Sequence, residues 1–307
     1  MTAAPYLEAA QQAPTSADRV LAAQVIGDVQ RPDFYAPLLD LLADEAVPVR
    51  QAALEAATQV RHPRLLPAVI GNLRPAATRT AALNTLLAYG PAVLPAIAAA
   101  LDNHTGHRTG EVRRLVRLCG QIGGSTAIDL LRQHWQHPDS DIQEEILITL
   151  NRGGYQATAA DRPPLRHILQ QQADYAAVLL AAQRDVGPDE STAMLQGALQ
   201  SEVDRVRQRL IYLLALLYDG QAIQRAGTQL FQKQAGAQAL ALEMLDITLA
   251  NEEKTLVLPL LEPDLTAGER LQRLPEAQQP PRESREAWLA EMISNGTGMW
   301  AERWLQA

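Results

Sequence analysis

Five segments of this chain line up with one another at an interval close to thirty residues. They are DRVLAAQVIGDV (18–29), VRQAALEAATQV (49–60), TRTAALNTLLAY (78–89), VRRLVRLCGQIG (112–123) and IQEEILITLNRG (142–153), separated by steps of 31, 29, 34 and 30. The second residue of each block is Arg19, Arg50, Arg79, Arg113 and Gln143. Every block is amphipathic at helical spacing; Val112, Leu115, Val116, Cys119 and Ile122 follow the i, i+3, i+4, i+7, i+10 pattern. Between the blocks lie further helical stretches at 33–43, 63–73, 91–101 and 125–135. Pro63 and Pro91 suit their first turns, and Ser125 suits an N-cap. No stretch alternates with period two, so no strand is expected. Helical pairs at such a period cannot bury both faces alone, and they stack on their neighbours. The expected fold is therefore all-α, an α/α superhelix of about five to seven hairpins with an irregular C-terminal cap.

Composition agrees with that packing. The chain is 47% hydrophobic but only 4% aromatic, with two Phe in 307 residues. A core so short of rings must close with Ala, Leu, Val and Ile, which closely packed helices use readily. The expected domains are an N-terminal extension (1–16), a solenoid (17–261) and a linker with capping helices (262–307). Within the solenoid, 17–153 holds short regular repeats and 154–261 longer helix pairs. The long stretches are 163–183 and 190–218, the latter with an expected break at 200–202; helices at 221–231, 235–249 and 252–261 follow. The segment after Glu262, rich in Pro and Gln, reads as a linker with one short helix. Helices at 282–293 and from Met299 follow, and the last is cut short by the chain end, as expected at the edge of a piece of a longer protein.

The phrases RPDFYAPLLDLLADEAVPVRQAALEAATQV and RTGEVRRLVRLCGQIGGSTAIDLLRQHWQHPDSDIQEEIL resemble HEAT repeats of the short bacterial type. The resemblance rests on a Pro/Asp turn, an aliphatic first helix, an acidic turn between helices and a Val-Arg pair opening the second. It covers roughly 17 to 153; Arg79 lacks the preceding Val, and Gln143 replaces Arg. Further on, SEVDRVRQRLIYLLALLYDGQAIQRAGTQLFQ and AQALALEMLDITLANEEKTLVLPLLEP resemble the cytosolic middle region of certain bacterial membrane proteins. Those proteins join an ATP/ADP-translocase-like transporter domain to HEAT repeats and a cyclic-nucleotide-binding domain. The terminal MWAERWLQA is similar to the helix that leads into the nucleotide-binding domain there. The resemblance implies a linker module whose partners are other proteins or neighbouring domains of its own polypeptide.

Several residue groups could carry chemistry. His104, His107, His134 and His137 form two His-x-x-His pairs at equivalent places in successive repeats, and imidazoles can ligate zinc or nickel. No Cys or acidic ligand completes a set at familiar spacing, and a His ending a helix meets its dipole favourably; no metal site is expected. Arg108, Arg113, Arg114 and Arg117 offset only Glu111. A phosphate or nucleic-acid contact is one reading; the other is a solvated face whose Arg113 joins a ladder with acidic turn residues such as Asp44 and Asp139. The net charge of -8 and the lack of interleaved aromatics favour the second. The HEAT-like DNA glycosylases need a basic, Trp-lined channel, and only Trp135 lies near the cluster. The iron-dependent HEAT hydroxylases carry His-Glu dipeptides, and this chain has none. Only the repeat type argues for the phycobilin lyase subunits.

Cys119 falls on the apolar side of its helix and reads as a buried thiol, and as the single cysteine it excludes an intrachain disulfide. Asp139 and Asp141 fit a capped turn better than an acid/base pair. GQIGGS at 120–125 follows a helix and lacks a P-loop lysine, so its glycines read as a helix stop. The acidic stretch 243–264 reads as a solvated face or as a dock for a basic partner. Trp288, Met292, Met299, Trp300 and Trp304 form a stripe that packs on the last helix pair or marks a missing neighbour. The N-terminus has no signal-peptide pattern, and the apolar run 210–218 is too short to span a bilayer.

The expected function is a non-catalytic interaction scaffold or spacer, cytoplasmic or at the cytosolic face of the inner membrane, with no cofactor, no nucleic acid and no membrane insertion of this segment. The alternative is a HEAT-type enzyme or enzyme subunit, phycobilin-lyase-like or nucleic-acid-processing. No catalytic residue is assigned. The expected partner contacts are Arg50, Arg79, Arg113 and Arg117 on the second helices, with Trp288, Trp300 and Trp304 at the C-terminal end.

Overall fold

Each of the five aligned blocks folds as an α-helix. The computed structural model describes residues 15–31, 34–103, 108–232 and 234–294. In chain order its first helices are α1 (Ser16–Val29), α2 (Tyr35–Leu42), α3 (Val47–Val60), α4 (Leu66–Gly71), α5 (Ala76–Tyr89), α6 (Leu94–Asp102), α7 (Thr109–Ile122), α8 (Gly124–Gln133) and α9 (Ser140–Arg152). Short 3₁₀ turns at Pro63–Leu65 and Gly90–Val93 lead into α4 and α6. The two prolines occupy first-turn positions, where the missing N–H is no loss. Among the described residues every regular element is helical, so the fold is all-α. The chain divides into two compact units, Met1–Gly153 and Gly154–Ala307.

In the first unit the aligned blocks are α1, α3, α5, α7 and α9, each packed on the next. The intervening helices α2, α4, α6 and α8 pack on the block that follows them, and α2 meets α4 as α6 meets α8. The block-to-block contacts recur in register. The eighth residue of one block meets the ninth or tenth of the block before. Ala56 lies against Gly27, where an added Cβ would stand 3.1 Å from the Ala56 Cα; Thr149 lies against Gly120, with 2.6 Å from such a Cβ to its Cγ2. Between these, the Thr58 and Thr85 hydroxyls are 3.1 Å apart, and Thr85 donates to the Leu54 carbonyl at 2.9 Å. Glycine, alanine and threonine here let the helix backbones approach closely. The thinnest of these interfaces lies between α5 and α7, where the step lengthens to 34 residues.

The helix ends follow from local chemistry. Glycines at positive φ end α5 and α7, Gly90 at +57 and Gly123 at +66, a backbone that residues with a Cβ rarely adopt. Asp139 caps α9 by accepting from the Asp141 and Ile142 N–H groups. α8 starts at Gly124, so Ser125 lies inside its first turn and not at the expected N-cap. Buried polar side chains tie successive repeats together at the ends of the first helices. Asn72 donates to the Leu42 carbonyl at 2.9 Å, and His137 Nε2 lies 3.3 Å from the Leu101 carbonyl. Within Ala76–Asp102 an 18-residue window reaches a mean hydropathy of 1.4 and the stretch has the length to cross a membrane, but Gly90 divides it between α5 and α6.

The second unit is built on α10 (Arg162–Val186) and α11 (Ala193–Leu217), two 25-residue helices packed as a hairpin. Asp189 and Thr192 form a capping box at the turn between them. The break expected at 200–202 does not occur. Its polar residues are satisfied from within the helix: Ser201 donates to the Gly197 carbonyl at 2.8 Å, Gln200 to Asp204 at 3.1 Å, and Glu202 accepts from Arg209 at 3.0 Å. Then come α12 (Gly220–Leu230), capped by Asp219, α13 (Ala235–Thr248) and α14 (Asn251–Leu261). Past Glu262, Thr266 and Glu269 form a capping box that starts α15 (Ala267–Arg273), and α16 (Arg285–Ser294) ends the described chain. α14, α15 and α16 all pack on α10.

Candidate functional site

The arginines at the second position of each block do related work inside the fold. Arg50 donates to the Asp44 and Glu45 carbonyls at 2.5 and 3.0 Å, and Arg79 to the Leu73 and Arg74 carbonyls at 3.2 and 3.1 Å. In both, the guanidinium reaches the fifth and sixth residues before it and ties the turn between paired helices to the second helix. Gln143, at the same position of the last block, donates to the Trp135 carbonyl at 3.0 Å. Arg19 reaches across to Asp44 in the next repeat through two hydrogen bonds of 2.6 and 3.1 Å. The Arg19 hydrogen bonds hold the Asp44 carboxyl below its usual range despite partial burial.

Arg113 and Arg117 converge on one carboxylate. Glu145 on α9 accepts from Arg117 at 2.6 and 2.8 Å and from Arg113 at 3.2 Å, with its side chain 2% exposed. Burial pushes the Glu145 carboxyl up, but the hydrogen bonds and charges of Arg117 and Arg113 outweigh it and hold it below the ordinary value. A second buried carboxylate, Glu111 on α7, accepts at 2.6 Å from Arg74 in the turn before α5. The outer parts of Arg74, Arg113 and Arg117 remain between about a third and a half exposed, so these arginines serve the ladder and still present charge to solvent. Thr109, not an arginine, donates to Asp139, at 2.7 Å.

The other candidates take structural places. Cys119 is wholly buried, and burial pushes its thiol up to about 12, far from a reactive thiolate. His137 has both ring nitrogens engaged, Nδ1 accepting from the Asp139 N–H at 3.0 Å. His134 lies 2.8 Å from the Leu130 carbonyl and 3.1 Å from Asp102. His104 and His107 lie outside the described residues, among which no cluster of His, Cys, Asp or Glu is arranged to hold a metal ion. In the acidic stretch, Glu253 is buried and accepts from Arg166 at 2.7 Å, Asp246 faces Lys254 at 3.4 Å, and Glu262 pairs with Arg273. These last four line an open depression of about 350 Å³ beside α14, so its charges already answer one another.

Trp288 is buried, and its indole N–H donates to Asp185 at 3.3 Å. The side-chain hydrogen bonds of Arg184 lead in holding Asp185 down to about 2, and the Glu283 N–H and Trp288 help against burial. Trp288 thus fastens α16 to α10. Met299, Trp300 and Trp304 lie outside the described residues.

Sequence reasoning did not single out Glu145, Arg207, Arg209 or Arg270, and it met Glu111 only as a counter-charge to the arginines of α7. Glu145 had a visible signal: it stands where the aligned blocks carry Leu21, Ala52, Ala81 and Leu115, a carboxylate at an apolar position. Arg207 and Arg270 are buried and close off the end of α14, Arg207 donating to the Leu261 carbonyl and Arg270 to the Glu262 carbonyl, each at 2.8 Å. Burial, with the charge of Arg207, lowers Arg270 to about 10. Those roles need tertiary neighbours that no local spacing announces. No protein-family model matches the chain, and no curated protein matches it in sequence.

Proposed function

We propose that this chain is a non-catalytic scaffold or spacer, an α/α solenoid of HEAT-like hairpins that engages a protein partner or neighbouring domains of its own polypeptide at the cytosolic face of a membrane. The observation that carries the reading is the recurrence of one contact at the repeat period: Gly27 against Ala56, Thr58 against Thr85, Gly120 against Thr149. A motif repeated in sequence and in contact builds an extended surface by small increments, the property that repeat proteins use for recognition. Two further observations support a binding role over a reaction. The thiol of Cys119 and the imidazoles of His134 and His137 are engaged in packing or hydrogen bonds, and the charges lining the depression beside α14 are paired. The resemblance of 201–261 to the HEAT region between a transporter-like and a nucleotide-sensing domain suggests what such a spacer would couple. Affinity capture from extract with the whole chain immobilised tests the reading. It predicts a protein retained in fixed stoichiometry through washes at physiological salt; nucleic acid alone in the eluate would reverse it.

A further inference from the structure

We propose that the arginine cluster formed by α5, the turn before it and α7 is a docking surface for an acidic segment of a partner protein. This rests on the scaffold reading and names the chemistry of its partner. Between residues 74 and 117 the sequence holds six arginines, at 74, 79, 108, 113, 114 and 117, and two carboxylates, Asp102 and Glu111. Asp102 faces His134, which leaves Glu111 among the arginines. Five of the six, all but Arg108, gather beside Glu111 and Glu145, both buried and both already ion-paired. The local balance is three positive charges in excess, in a unit whose 13 basic and 15 acidic residues nearly cancel.

Arg114 shows the imbalance most clearly. It is half-buried and donates to the Gly110 carbonyl of its own helix at 2.7 Å, and among the described residues it forms no ion pair. Burial lowers its guanidinium from the usual value, and the charges of Arg79, Arg117 and Arg113 lower it further, against Glu111. Desolvating a cation among cations is unfavourable unless an anion arrives to share the site. The cluster also sits at the thinnest block-to-block interface, on a surface where the Arg74, Arg113 and Arg117 side chains remain about a third to a half exposed. An extended chain of carboxylates fits that shape and can take bidentate hydrogen bonds from several guanidinium forks at once. Stacking on nucleic-acid bases needs aromatic side chains, and the residues that make up the cluster supply none.

The test is a titration of the full chain with a short fluorescein-labelled polyglutamate peptide, read by anisotropy at low and physiological salt. The expected result is saturable binding that weakens with salt. Arg114→Gln and Arg79→Gln each weaken it about tenfold, as loss of a close charge pair does. Arg225→Gln is the matched control, because Arg225 is exposed and also donates to a carbonyl one turn back, Gln221, at 3.2 Å; it leaves binding unchanged. Arg114→Gln also leaves the melting temperature unchanged or raises it, because it relieves repulsion. A variant that melts lower and binds as before would make Arg114 a structural residue and overturn the inference. So would a single-stranded oligonucleotide that binds more tightly than the peptide. A chain that captures a protein partner yet ignores the peptide overturns this inference and leaves the scaffold reading standing. Peptide binding that depends on Arg114 supports it whatever the capture returns.

Discussion

Glu145 shows how single residues set the ladder. Its carboxylate is 2% exposed and is held by two arginines that are themselves partly wet. Removing its charge strands Arg113 and Arg117, so Glu145→Gln should cost about 2 kcal/mol, below the full cost of breaking a buried pair because the guanidinium groups can turn to water. Glu145→Leu, the residue type at the aligned position 115, should cost less, since an apolar isostere also removes the desolvated charge. Urea melts of the two variants decide it; a Gln variant as stable as the wild type contradicts the ladder. Asp185 carries the pH dependence of the C-terminal helix. Its folded pKa of about 2 lies below its ordinary 3.8. A depressed carboxylate stabilises the folded form above its unfolded pKa and loses that contribution as pH falls through the folded one, on the order of 2 kcal/mol here. The attachment of α16 should therefore loosen between about pH 4 and pH 2. Trp288 emission, isolated by subtracting a Trp288→Phe chain, should shift to the red across that window in the wild type, and already at neutral pH in Asp185→Asn. Emission flat from pH 7 to 2 would contradict the assignment.

Among elements, α1 explains both what the repeat pattern makes legible and where it stops. On α1, Leu21, Val25 and Val29 are 58, 40 and 43% exposed, whereas the aligned Ala52, Ala56 and Val60 on α3 are buried. In α3 this face meets the preceding block, through Ala56 against Gly27; α1 is the first of the aligned blocks. One substitution at two equivalent sites should then have opposite consequences. Ala56→Glu should cost several kcal/mol, about 3 or more, by forcing a charge against Gly27. Val25→Glu should change stability by about 0.5 kcal/mol or less. Equal losses at the two sites would break the proposed register. The helices of the first unit were readable because each block satisfies its own amphipathic pattern and turn chemistry, as Pro63, Gly123 and Asp139 show. The engagement of Arg50 and Arg79 with turn carbonyls was not readable, because an arginine at a repeat position looks the same whether it faces its own turn or a partner.

At the scale of the molecule, the thirty-residue period governs Met1–Gly153 and gives way in Gly154–Ala307, where two long helices organise the shorter ones. The second unit was legible as helices but not as an arrangement. The long pair was visible in its Leu-rich runs, yet Ser201 and Glu202 looked like a break because their partners, Gly197 and Arg209, lie within the same helix. The return of α14, α15 and α16 onto α10 depends on buried groups such as Glu253 and Trp288, whose partners Arg166 and Asp185 stand some 87 and 103 residues away. In the first unit the sequence period is also a period of contact, and a cross-link reads it directly. In a Cys119→Ser background, Thr58→Cys with Thr85→Cys places two thiols where hydroxyls now stand 3.1 Å apart. Mild oxidation should close that pair into an intrachain disulfide at a rate independent of protein concentration, while Thr58→Cys with Thr149→Cys stays reduced. Failure of the first pair to close, or closure of the second at the same rate, would contradict the stacked-repeat account.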